Sequence, residues 1–198
     1  IHQKDYRAAE AVLKDALSRF KDNEDLLFNL AIVCEKEKRF DEMEAYLMRV
    51  IEINPNHANA LNYLGYSYAE KGIHLEEAEA LIQRAVTLKP DNGYILDSLG
   101  WVFFKSGKTE EALKALLRAA ELVKDDPTVF EHIGDVYRVM NEKDKAVEYW
   151  KKALGFDKKG EDEGGRRTGQ GEKPPLPDQK ATRRGGKPLW KSNETRGN

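Results

Sequence analysis

The sequence is short of the residues that would give it chemistry or cross-links. Cys34 is the single cysteine in 198 residues, which excludes an internal disulfide framework and a thiolate metal cluster. Of the four histidines, His2, His57, His74 and His132, no two share a zinc-binding spacing such as i and i+4 on one helix. Ser98 has no base at a recognisable spacing for nucleophilic catalysis. Apolar runs are short as well, and none approaches the roughly 18 residues of a membrane span. No charged-then-apolar leader is visible. The chain starts at Ile1 in mid-pattern, as a fragment would, so that lack says little about compartment. The expectation is a protein that is not an enzyme, with no metal, no cofactor and no membrane insertion in this stretch.

Charge is plentiful at 34%, yet unevenly placed. Residues 1–157 carry 22 Lys+Arg against 29 Asp+Glu, and residues 158–198 carry 11 against 6. An acidic body is thus followed by a basic tail. The body does not suit a phosphate polymer, which requires Lys and Arg, so no nucleic-acid partner is expected. The tail is rich in Gly, Pro and charge, and its composition predicts disorder.

Within the body a phrase recurs: "YLGYSYAEKG" at 63–72, "SLGWVFFKSG" at 98–107 and "HIGDVYRVMN" at 132–141. Gly65, Gly100 and Gly134 are spaced by 35 and 34 residues, and a further step back reaches Ala31. Leu27, Leu61, Leu96 and Phe130 stand four residues before these small ones, Leu30, Leu64, Leu99 and Ile133 one before, and Cys34, Tyr68, Phe103 and Tyr137 three after. Such offsets share one helical face. A second helix follows in each unit, marked by Met43, Ala78, Ala112 and Ala146, then Leu47, Ile82, Leu116 and Trp150, then Val50, Ala85, Ala119 and Ala153. Ala9, Leu13 and Ala16 repeat that second pattern at the start of the chain.

A helical glycine costs about 1 kcal/mol relative to alanine. Gly100 is therefore expected where the second helix presses closest, with burial of its neighbours offsetting the cost. Gly72, Gly107 and Asn141 suit left-handed helix ends; Lys38 takes the same slot and is the exception. Paired acids at Glu76-Glu77 and Glu110-Glu111 suit helix starts.

"YLGYSYAEKGIHLEEAEALIQRAVTLKP" and "LGWVFFKSGKTEEALKALLRAAEL" resemble the tetratricopeptide repeat, in its Leu-Gly-x-x-aromatic and Ala-x3-large-x2-Ala phrases. The wording is similar to that of bacterial tetratricopeptide proteins, envelope lipoproteins included, which leaves the periplasmic side of the envelope and the cytoplasm both open. The resemblance implies an all-α solenoid of helix–turn–helix repeats wound as a right-handed superhelix. The expected division is 1–23 for the second helix of a truncated repeat plus linker, full repeats at 24–57, 58–92, 93–126 and 127–157, and a tail at 158–198. It also implies non-catalytic protein binding, as an adaptor or assembly scaffold. The carboxylate clamp of heat-shock cochaperones is not evident, since residues such as Phe28, Asp25 and Asn59 stand where its cationic sites would fall.

With the core offsets assigned, the residues left to face a concave groove are Asn62, Tyr66, Tyr94, Asp97, Trp101, Phe104, Glu131, Asp135 and Arg138. Tyr66 and Trp101 are expected as exposed anchors, ringed by the acids, with the Asn62 amide for a peptide backbone. The expected ligand is a protein or peptide segment with an apolar anchor and Lys or Arg. The alternatives are self-association through the open face near Ala9 and Leu13, giving a homo-oligomer, or a spacer in a larger enzyme or lipoprotein.

Overall fold

The computed structural model describes residues 3–162, which form nine α-helices and no strand. Helix α1 spans Gln3–Arg19. It is followed by α2 (Glu24–Lys36), α3 (Phe40–Ile53), α4 (Ala58–Lys71), α5 (Leu75–Leu88), α6 (Gly93–Lys105), α7 (Thr109–Leu122), α8 (Pro127–Val139) and α9 (Lys143–Asp162). The even-numbered helices from α2 to α8 each pair with the helix that follows. Helix α6 also packs on α4 and α8, and each of α4, α6 and α8 on the preceding second helix, which puts the first helices on the inside of the stack. The array is an α-solenoid.

Start signals differ between the two helix types. First helices have side-chain caps: Asn23 accepts from the Leu26 N–H at 2.9 Å, Asn92 from Tyr94 at 3.0 Å and Ile95 at 3.2 Å, and Asp126 from Thr128 at 2.9 Å. His57 Nδ1 does the same for the Ala60 N–H at 3.0 Å. The second helices α3, α5 and α7 have no side-chain cap and rely on first-turn acids. Two of their cap positions are basic, Arg39 and Lys108, against the helix dipole. Each reaches back to the preceding second helix, Arg39 to Glu10 at 2.7 Å and Lys108 to Glu79 at 2.7 Å. Glu44, at the same slot between them, accepts from the Tyr68 hydroxyl at 2.6 Å. The acid of this slot thus takes a cap cation of the next second helix at Glu10 and Glu79, and a first-helix tyrosine at Glu44.

The close-approach role expected of Gly100 is present. A Cβ there would lie 2.5 Å from Leu116 Cγ, and one at Gly65 would lie 2.8 Å from the Ala78 carbonyl oxygen. The helix-end slot is left-handed in every copy, with φ of 62° at Lys38, 67° at Gly72, 77° at Gly107 and 63° at Asn141. Lys38 is therefore no exception in geometry, only in residue type. Between Gly65 and Gly100, where the spacing is 35 rather than 34, His74 is also left-handed at φ 49°.

Two apolar clusters meet at α6. Ile95 and Val102 join the cluster built from α2 to α5, while Leu96 joins the one formed with α7 and α8. Cys34 is fully buried among the former, and burial raises its thiol pKa. Helix α9 runs to Asp162, past the expected start of the tail at 158. The remaining tail, 163–198, lies outside the described residues.

Candidate partner-binding face

Each first helix carries one Lys or Arg, always in its last turn: Lys36, Lys71, Lys105 and Arg138. The acids of these helices, Glu24, Asp25, Glu35, Glu70, Asp97, Glu131 and Asp135, occupy the positions before it. The inner side of the stack therefore has one cationic edge and an otherwise acidic complement.

Three of the residues expected to face a partner are closed off. Tyr66 is 1% exposed, Asn62 3% and Asp97 0%. The expectation that Tyr66 must be an exposed anchor because the core offsets were filled is corrected. Helix α4 is flanked by first helices, and all residues from Ala60 to Ala69 are buried. A helix apolar nearly all round belongs inside a stack. Asn62, Tyr66 and Asp97 are therefore not available to a partner. Tyr94, Trp101, Phe104, Glu131 and Asp135 are half-buried and Arg138 is exposed, so the accessible part of the predicted set gathers on α6 and α8.

Trp101 is held by its own chain. Its indole N–H donates to Glu70 of α4 at 2.5 Å, its ring stacks on His132 of α8 at 4.1 Å, and Phe104 lies 5.2 Å away. It is a joint between three first helices with one edge left open, rather than a free anchor. Asp135 is equally engaged, accepting the Trp150 N–H at 3.2 Å. Burial raises the Asp135 pKa, against the opposing pull of His132 and the Trp150 N–H.

Beneath Trp101 lies a pair that the groove reading did not contain. His132 Nδ1 is 2.9 Å from Asp97 Oδ1, with side chains 3% and 1% exposed. Burial pulls the imidazole pKa down, but the Asp97 carboxylate, with Asp135 and Glu70 behind it, outweighs that and raises it. A register argument could have found this pair. Residues 35 apart on successive first helices face each other, as Phe28 and Tyr63 do edge-to-face at 5.9 Å, and 97 and 132 have the same separation. Tyr63 is itself pushed far up, by burial and by the Glu35 carboxylate.

Among the described residues no group of three or more His, Cys, Asp or Glu side chains could hold a metal ion, and no helix is long and apolar enough to cross a membrane.

Tetratricopeptide repeat models match residues 1–65, 43–93 and 128–159, and a TPR repeat model matches 100–138. The chain belongs to the tetratricopeptide repeat family. No curated protein sequence matches it. Among solved structures it is similar to MamA, at 22% identity and a TM-score of 0.66 over 81% of this chain and 93% of that one. PilW, a widely conserved type IV pilus biogenesis factor, matches at 22% and 0.72 over 78% and 71%. PilF of Pseudomonas aeruginosa matches at 21% and 0.67 over 83% and 72%. At these identities the likeness concerns the fold. In its coarse sense the family makes the chain a protein–protein interaction module, and such repeat arrays are generally non-catalytic scaffolds.

Proposed function

We propose that the inner face of α6 and α8 binds a peptide segment of a partner protein that presents one apolar side chain flanked by Lys or Arg. The observation that carries this reading is the combination of half-exposed Tyr94, Trp101 and Phe104 with Glu70, Glu131 and Asp135, while cations are confined to the last turns. The apolar anchor packs on the open edge of the Trp101–Phe104 stack. Its basic neighbours meet the carboxylates, whose several lone-pair sites accept bonds beyond those already made. Because Trp101 is fixed by Glu70 and His132, the platform loses little freedom on binding, which favours affinity. The test is fluorescence anisotropy with a panel of labelled peptides holding an apolar residue between Lys or Arg, set against the chain carrying Leu189→Ser/Trp190→Ser, so that its own basic and apolar tail does not compete. Phe104→Ala and Glu131→Gln should each weaken binding several-fold, and the outward Glu121→Gln should not. Equal loss at all three positions, or at none, refutes the assignment of the face.

A specific observation favours a second reading, self-association. Ala9 is exposed and Val12 is 69% exposed, although the counterparts of Ala9 in the other second helices, Met43, Ala78, Ala112 and Ala146, are at most 2% exposed. Helix α1 thus presents a face that every other second helix covers with its own first helix. A second copy of the chain is the occupant under this reading. A monomer mass independent of concentration in light scattering rules it out.

A further inference from the structure

We propose that the chain carries its own occupant for the inner face, the segment 183–191, Arg-Arg-Gly-Gly-Lys-Pro-Leu-Trp-Lys. This rests on the proposed peptide-binding function. The segment holds Arg183, Arg184, Lys187 and Lys191, no acid, and the adjacent apolar pair Leu189 and Trp190. That is the chemistry the α6–α8 face is suited to take, an apolar anchor among cations set against Glu70, Glu131 and Asp135.

The charge balance points the same way. Acids exceed bases by 29 to 22 in residues 1–157, and the imbalance reverses to 11 bases against 6 acids in 158–198. Reach is sufficient. Twenty residues separate Asp162, the end of α9, from Arg183. A Gly-rich chain of that length has a root-mean-square span of about 25 Å, at roughly 5–6 Å times the square root of its length. Packed helices lie about 8–10 Å apart, so α8 and α6 fall within two or three helix diameters of α9.

Tethering supplies the strength. A segment joined by a short flexible linker sees its site at an effective concentration of around mM. If the free segment binds with a Kd of about 100 μM, the tethered copy reduces the apparent affinity of any competitor about tenfold. The inner face would then be open only to partners that outcompete the tail, or after the tail is engaged elsewhere.

The experiment uses the full chain and its Leu189→Ser/Trp190→Ser variant, whose changes lie outside α1–α9. A labelled peptide of residues 181–198 is titrated into each and followed by anisotropy at low salt. The variant is expected to bind the peptide about tenfold more tightly, by an amount that does not change on dilution and that vanishes when Phe104→Ser is added. Equal, measurable binding by both proteins shows that the native tail does not occupy the face, and overturns the inference while leaving the proposed function intact. No binding of this peptide by the variant, when other basic and apolar peptides do bind, has the same meaning. Failure of every peptide removes the proposed function too. A gain that disappears on dilution, with dimers in light scattering, assigns the tail to a neighbouring copy and overturns docking within one chain.

Discussion

The substitution Asp97→Asn probes the buried joint beneath Trp101. It preserves side-chain volume and an acceptor oxygen for His132 Nδ1, and removes only the charge. Both partners are essentially closed to water, at 3% and 1% side-chain exposure, so screening offers little relief. Removing one member of a buried pair costs about 3–5 kcal/mol; with an acceptor retained, a loss near the lower end, about 3 kcal/mol, is expected at pH 6. The pH dependence follows from the direction of the imidazole shift. The folded pKa of His132 lies above its ordinary value of 6.5, so the pair's contribution is complete below that pH. It then fades as pH rises through the folded value, by up to about 1.4 kcal/mol per pH unit. In the variant the raising influence of Asp97 is gone while burial remains, so the imidazole pKa falls. The stability gap between the two proteins should therefore be widest at pH 6 and narrow toward pH 9. Asp135 and Glu70, which also face the ring, are common to both and largely cancel. Urea unfolding followed by circular dichroism at four pH values measures the gap, and an NMR titration of the His132 ring protons follows the shift. A gap that stays constant from pH 6 to pH 9, or a loss under about 0.5 kcal/mol at pH 6 where about 3 is expected, refutes the account of this joint.

Two predictions concern the repeat framework. Gly65→Ala should destabilise by about 1–3 kcal/mol through overpacking, despite a helix-propensity gain of about 1 kcal/mol, because the new methyl meets the Ala78 carbonyl of the facing backbone at 2.8 Å; thermal unfolding measures the net effect, and a stabilised variant would contradict the close-approach argument. Lys38→Gly should stabilise by about 1 kcal/mol, since φ there is 62° and a side chain is penalised in left-handed geometry; guanidinium unfolding checks it, and an unchanged midpoint would show that Lys38 has compensating contacts.

The repeat was legible because each slot meets the same neighbours in every copy. Gly65, Gly100 and Gly134 all face a second helix at short range, and Ala31 is fully buried in the same slot, so the run of small residues there is visible in one sequence. The left-handed slot was legible for the same reason, and only its tolerance of Lys38 was not. The inner face was harder to read. A helical wheel drawn for α4 alone leaves Tyr66 and Asn62 pointing outward, but their outward side is covered by adjacent first helices. That burial depends on how closely successive units stack, which no single helix encodes. The Asp97–His132 pair was missed through the same one-helix view, although the 35-residue register between first helices contained it. Trp101 shows the middle case. It is half-buried where an exposed anchor was expected, and its ties to Glu70 and His132 could be seen only across three units.

The central claim is that partners bind on the inner face of α6 and α8. The most direct measurement places a photo-crosslinking amino acid at Phe104 in one full-length variant and at Leu122, exposed at the outer end of α7, in another, each with a bound peptide of the basic and apolar class. The account predicts crosslinks from position 104, reduced several-fold by Glu131→Gln, and none from position 122. Crosslinking from 122 with none from 104 would contradict it and move the binding surface to the outside of the stack.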